Sequence, residues 1–130
     1  MSKFVSTILI GAISASAMVS VSAPAAVAGL EAYSPEKFVK AKASGKTVVL
    51  AFHTTWCPIC LRQKRVLEKL ATTKKDIIIL SVDYDRDTSA NKQFDVAIQS
   101  TLIIFKGGRE VARKAGEHRE AAITQLIKTV

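Results

Sequence analysis

The stretch that most limits the possible folds runs from Thr47 to Cys60. A continuous β-branched and apolar run, Thr47 to His53, leads directly into Trp56-Cys57-Pro58-Ile59-Cys60, and a run of this kind is expected of a strand buried on both faces. Beyond it Ile59, Val66, Leu67 and Leu70 recur at helical spacing, with Arg62, Lys64, Arg65 and Lys69 mostly between them. The chain therefore turns from strand to helix at its only two cysteines, and Cys57 falls at the helix start.

A C-x-x-C pair can be half of a zinc site. Here no second cysteine pair completes four ligands, and His53 and His118 do not have zinc-finger spacing. As a bridge the pair would close a very small loop and restrict the unfolded chain little. It reads better as a working dithiol. At the helix start, unpaired N–H groups and the helix dipole favour negative charge, which makes Cys57 the attacking thiolate. Cys60, one turn further in, becomes the thiol that resolves a mixed disulfide. Arg62, Lys64 and Arg65 are expected to add positive potential.

The first 28 residues read as an address. Lys3 precedes an uncharged apolar segment, Phe4 to Val21, and Ala26-Val27-Ala28 has the small-x-small pattern of a cleavage site. The expectation is a secretory signal peptide over 1–28, cleaved to leave a single domain over 29–130 with no stable membrane insertion and an address outside the cytoplasm, most simply the periplasm. An uncleaved membrane anchor is the competing reading. Roughly 100 residues would remain, enough for one core.

Across that domain the order of elements is legible. Ser34-Pro35-Glu36 is a helix start, and the helix should run from Pro35 to Ala43 and end before Gly45. Strand Thr47–His53 is followed by a helix from Pro58 to about Thr72, strand Ile77–Val82 and a short helix over Ser89–Asp95. Strand Thr101–Phe105 turns through Lys106-Gly107-Gly108-Arg109 into strand Glu110–Ala115, and a closing helix carries Ile123, Leu126, Ile127 and Val130. The fold class is α/β: a central mixed sheet of four strands, or five if Leu30–Tyr33 adds one, with helices on both faces.

In this order and spacing the chain resembles the thioredoxin family. Trp56-Cys57-Pro58-Ile59-Cys60 looks like its W-C-x-x-C, Thr101-Leu102-Ile103-Ile104-Phe105-Lys106-Gly107-Gly108 like its later strand and hairpin, and Gly116 like the glycine after that hairpin. The resemblance implies a thiol–disulfide oxidoreductase acting on protein thiols and disulfides and a redox partner, with no cofactor beyond a redox-active Cys57–Cys60 disulfide. It makes Trp56 a contact and shielding residue and Pro58-Ile59 the tuning pair, and it puts the Ser100–Thr101 loop opposite the cysteines.

Three departures qualify this. Ser100 stands where the family has a cis-proline, and a cis bond before a non-proline costs about 2.5–4 kcal/mol, which weighs against one at Gln99–Ser100. Ala51 and Ile79 stand where the family often pairs a buried carboxylate with a lysine. Arg65 lies near the position of a helix-kinking proline. His53, where a thioredoxin has tryptophan, could tune the pair, relay protons or join the cysteines around a metal. The reading preferred for it is a partly buried strand-end residue bonded to backbone.

The chain has 19 Lys and Arg against 11 Asp and Glu, a net charge of +8. With aromatics at 6%, the interleaved pattern of a nucleic-acid binder is missing. The charge reads as a solvated basic face, with a preference for acidic redox partners as its functional counterpart. Asp83-Tyr84-Asp85-Arg86-Asp87 has D-x-D-x-D spacing, but Thr88 and Phe94 occupy the glycine and glutamate positions of a calcium loop, so no metal site is assigned there. A monomer is expected. Two competing readings remain, a Cu(I)- or zinc-binding protein using the same cysteines and a non-catalytic binding module with an inert disulfide.

Overall fold

A computed structural model describes residues 30–128. The segment read as a signal peptide, and Val130 of the closing helix, lie outside the described residues. The elements are β1 (Glu31–Ala32), α1 (Pro35–Ala43), β2 (Thr47–His53), α2 (Pro58–Thr73), β3 (Ile77–Asp83), α3 (Thr88–Gln93), β4 (Thr101–Lys106), β5 (Arg109–Ala115) and α4 (Glu120–Lys128). They form one five-stranded sheet in the order β1-β3-β2-β4-β5. β1 and β2 run parallel to β3, while β4 runs antiparallel to β2 and to β5. The mixed sheet is as expected, with β1 supplying the fifth strand in two residues.

Alternation along β2 sends successive side chains to opposite faces. Val48, Leu50 and Phe52 join Leu80, Val82, Ile103 and Phe105 under Phe38 and Ala41 of α1 and Ala90 of α3. Val49 and Ala51 join Ile77, Ile79, Leu102 and Ile104 under Leu67 and Leu70 of α2 and Ile123 and Ile127 of α4. Two apolar layers thus hold β2 from both sides, which fixes the strand end from which the cysteine loop departs.

Local chemistry sets the helix starts. The Ser34 hydroxyl accepts the Lys37 N–H at 3.2 Å ahead of Pro35. α3 begins at Thr88, one residue earlier than expected, because the Asp87 carboxylate accepts the Ala90 N–H at 2.9 Å. β5 is almost wholly exposed and is the outer strand on its side. Its Arg113 guanidinium donates to the carbonyls of Phe94 and Asp95 at 2.8 and 2.9 Å, tying the hairpin to the segment that leads into β4.

Candidate active site

Cys57 is the N-cap residue of α2. Its backbone is extended (φ −85°, ψ 118°), Pro58 follows at the first helical position, and its Sγ accepts the Cys60 N–H at 3.4 Å. A sulfur therefore occupies the place where helices usually put a serine or aspartate oxygen. Both thiols are free and buried, Cys57 at 6% exposure and Cys60 at 2%, so Cys57 is the more open of the two. Pro58 is exposed and Ile59 partly buried.

Facing the sulfurs is Ser100, 4% exposed. Its Oγ lies 2.9 Å from Cys60 Sγ and 3.5 Å from Cys57 Sγ. The Gln99–Ser100 bond is trans, as no cis peptide occurs among the described residues, and Ser100 has φ 61°. That is a left-handed conformation which costs an L-residue roughly 1–2 kcal/mol. Three hydrogen bonds hold it. The Ser100 N–H donates to the Phe52 carbonyl at 2.8 Å, and the Ser100 carbonyl accepts the Gly116 N–H at 3.0 Å and Gln63 Nε2 at 3.1 Å. A proline, with φ near −65° and no N–H, could not take this conformation.

The Cys57 thiol is held below its ordinary pKa. The Ser100 hydroxyl is the main cause, opposed by burial and assisted by the Cys60 N–H and thiol and by the Ile59 backbone. Sequence reasoning assigned part of this work to Arg62, Lys64 and Arg65. The causes found are hydrogen bonds at the sulfur, and Lys64 instead forms an ion pair with Glu68 one turn on.

Gln63 was missed from the sequence. It is 1% exposed, and its Nε2 donates to the carbonyls of Ser100 and, at 2.7 Å, Glu117. The signal was available: Cys60, Gln63, Leu67 and Leu70 are the buried residues of α2, at a spacing of three, four and three, so a polar side chain stood on the apolar stripe. Thr101 is buried, but its hydroxyl donates to the Ile98 carbonyl at 2.7 Å and closes the turn into β4 rather than bonding to the cysteines.

Trp56 is 64% exposed beside Cys57, and its indole N–H donates to Asp85 Oδ2 at 2.9 Å. The acidic loop is thereby accounted for, since Asp83 Oδ1 accepts the N–H groups of Asp85 and Arg86 and Asp87 caps α3. His53 is partly buried at the end of β2, as expected. Among the described residues its ring makes no bond to backbone, contrary to the preferred reading. Burial pushes its pKa below the ordinary histidine value, Lys64 adds to this, and Asp83, its partner across β2 and β3, opposes it. Ala51 and Ile79 sit in the apolar layer under α2. Among the described residues no three His, Cys, Asp or Glu side chains are grouped so as to hold a metal.

A buried dithiol at a helix start, on a mixed sheet with helices on both faces, defines a disulfide-exchange protein of the thioredoxin fold. The thioredoxin family model matches residues 29–129. Thioredoxin of Chlamydia trachomatis is 36% identical over 98 residues, covering 75% of this chain and 95% of that protein. Thioredoxin-2 of Saccharomyces cerevisiae is 37% identical over 95 residues, covering 72% and 90%. Among solved structures, Trxlp from Edwardsiella tarda superposes with a TM-score of 0.72 at 37% identity, covering 75% of this chain and 97% of that one. The chain belongs to the thioredoxin family and is a thioredoxin-type thiol–disulfide oxidoreductase.

Proposed function

We propose that the protein exchanges disulfides with protein substrates outside the cytoplasm, with Cys57 as nucleophile and Cys60 as resolving thiol. One observation carries the assignment of roles. Cys57 is the more exposed cysteine, it caps α2, and hydrogen bonds at its sulfur favour the thiolate. The Cys57 thiolate attacks one sulfur of a substrate disulfide, and the S–S bond breaks with its electron pair leaving on the other sulfur, which takes a proton from solvent. Cys60 then loses its proton and attacks Cys57 Sγ, expelling the second substrate thiolate. Two electrons pass to the substrate and the Cys57–Cys60 disulfide is left. The reverse sequence oxidises a dithiol.

A lowered thiol pKa stabilises the reduced form and makes the disulfide form a stronger oxidant, so the direction in the cell follows from the couple's potential against that of its partners. Exposed Trp56 and Ile98 give substrates apolar contact, and the net charge of +8 favours acidic ones. Export rests on the leader pattern of residues 1–28.

The test uses the domain without its leader and compares wild type with Cys57→Ser in reduction of insulin by dithiothreitol and in oxidative refolding of a reduced protein. Acceleration by wild type alone is expected; equal rates for the two proteins in both assays would defeat the assignment. Fractionation of cells expressing the full chain tests export, which recovery of an uncleaved chain in the cytosol would overturn.

A further inference from the structure

The closing step leaves a proton to be placed. Cys60 is 2% exposed and cannot release its proton directly to bulk water, so a group inside the protein has to take it. Ser100 Oγ, at 2.9 Å, can share a proton with the sulfur, but a serine hydroxyl does not act as a base near neutral pH. The other side of Cys60 opens on a recess of about 10 Å³ between β2 and α2. Space of that size accommodates about one water. Leu30, Ala51 and Leu67 form its apolar wall, and Gln63, His53 and Lys64 complete it.

Only one lining group besides the thiol itself can accept a proton. Gln63 is a neutral amide whose Nε2 is engaged with the carbonyls of Ser100 and Glu117. Lys64 is paired with Glu68, and a lysine ammonium is a donor with no acceptor site. What remains is His53, at the end of the strand that precedes the cysteine loop.

We propose that His53 is the proton acceptor for Cys60 when Cys60 closes on Cys57, acting across the recess that both side chains line. The proposal rests on the thioredoxin-type reading of the dithiol. A base can act through one intervening water, and the recess has the volume for one. The charged groups facing the ring are Asp83 of β3 and Lys64 of α2. Burial and Lys64 favour the neutral imidazole, the form that accepts a proton, and Asp83 favours the imidazolium once it forms.

In the step itself the Cys60 S–H bond breaks and its proton passes through the water to His53. The Cys60 sulfur bonds to Cys57 Sγ, and the substrate sulfur leaves Cys57 with the electron pair and is protonated by solvent. His53 then returns its proton to solvent. In the oxidising direction the same imidazolium protonates Cys60 as the disulfide opens.

Dithiobis(nitrobenzoate) separates the two events, because attack by Cys57 releases one coloured thiolate and closure by Cys60 releases the second. For His53→Gln the first release should stay within about twofold of wild type, while the second slows about 100-fold, the lower end of general acid–base contributions. The wild-type second phase should rise with pH through the titration of His53 and level off, and the variant should lack that inflection. A carboxylate on another wall, Ala51→Asp in the His53→Gln background, should recover at least about tenfold of the second phase, within the range of base catalysis.

A second phase in His53→Gln with wild-type rate and wild-type pH profile would overturn the proposal. If that variant does not fold, the wild-type His53 ring followed by NMR decides: its titration should differ between the dithiol and disulfide forms, and identical titrations would overturn it. Failure of the functional reading has a different signature, a first release no faster than that of free cysteine together with no insulin reduction by wild type.

Discussion

Replacing Ser100 by alanine removes the hydroxyl that lies 3.5 Å from Cys57 Sγ and leaves the backbone bonds of residue 100 in place. A hydrogen bond to a charged group contributes about 1.5–3 kcal/mol, and the long contact puts this one at the lower end. Since about 1.4 kcal/mol is tenfold in an equilibrium, the thiolate population of Cys57 should fall about tenfold at any pH below the wild-type thiol pKa. Each remaining thiolate is more basic and, at a Brønsted slope of about 0.4–0.5, reacts about threefold faster. Iodoacetamide alkylation of Cys57 should therefore be about threefold slower than wild type below the wild-type thiol pKa and about threefold faster above that of the variant, with the two rate profiles crossing.

Because the folded Cys57 value lies below the unfolded one, its ionisation stabilises the reduced protein above the unfolded thiol pKa, and that stability is lost as pH falls through the folded value. Ser100→Ala should flatten this dependence in denaturant melts. Ser100→Gly should show the same crossing of rates. It also relieves a left-handed strain of roughly 1–2 kcal/mol against a flexibility cost of about 0.5–1, so it should be more stable than Ser100→Ala by about 0.5–1 kcal/mol. Superimposable alkylation profiles for wild type and Ser100→Ala would refute the role given to the hydroxyl, and a glycine variant less stable than the alanine variant would refute the account of the backbone.

Gln63→Leu keeps the volume but removes two hydrogen bonds and strands a carbonyl, so urea melts should show a loss of about 2–4 kcal/mol; a loss below about 0.5 kcal/mol would mean the clamp is dispensable. Trp56 is the only tryptophan, and its indole is fixed by Asp85, so Asp85→Ala should change the intrinsic fluorescence while shifting stability by less than about 0.5 kcal/mol. Unchanged emission would count against that bond in solution. Glu117, with its pKa lowered to about 2 by the Arg119 side chain and the N–H groups of Arg119 and His118, supports the fold above the usual carboxylate range and loses that contribution as pH falls toward 2. NMR should find its midpoint near 2, and Arg119→Ala should raise it; a wild-type midpoint near 4.5 would contradict the geometry.

The elements of this fold were legible because their signals are local. Pro35 after Ser34, the buried run of β2 and the two glycines of the hairpin each specify a conformation within a few residues. The site was legible to the extent that it is local too: Cys57 caps the helix that its own sequence starts. Ser100 was placed opposite the cysteines by resemblance, but its left-handed backbone depends on Phe52, Gly116 and Gln63, which come from three other parts of the chain. The recess beside His53 was hidden for the same reason, since it exists only where β2 meets α2.

The outer strand β5 bears on how copies of this chain meet one another. An unpaired strand edge is a template on which a second sheet can grow. Here that edge carries Arg109, Arg113 and Lys114, and the register between β4 and β5 slips at Ile104/Phe105, a local irregularity of the kind that twists an edge. At the opposite margin β1 offers only two residues. Neither margin therefore combines length with a flat, neutral edge, the features that let a second molecule extend a sheet.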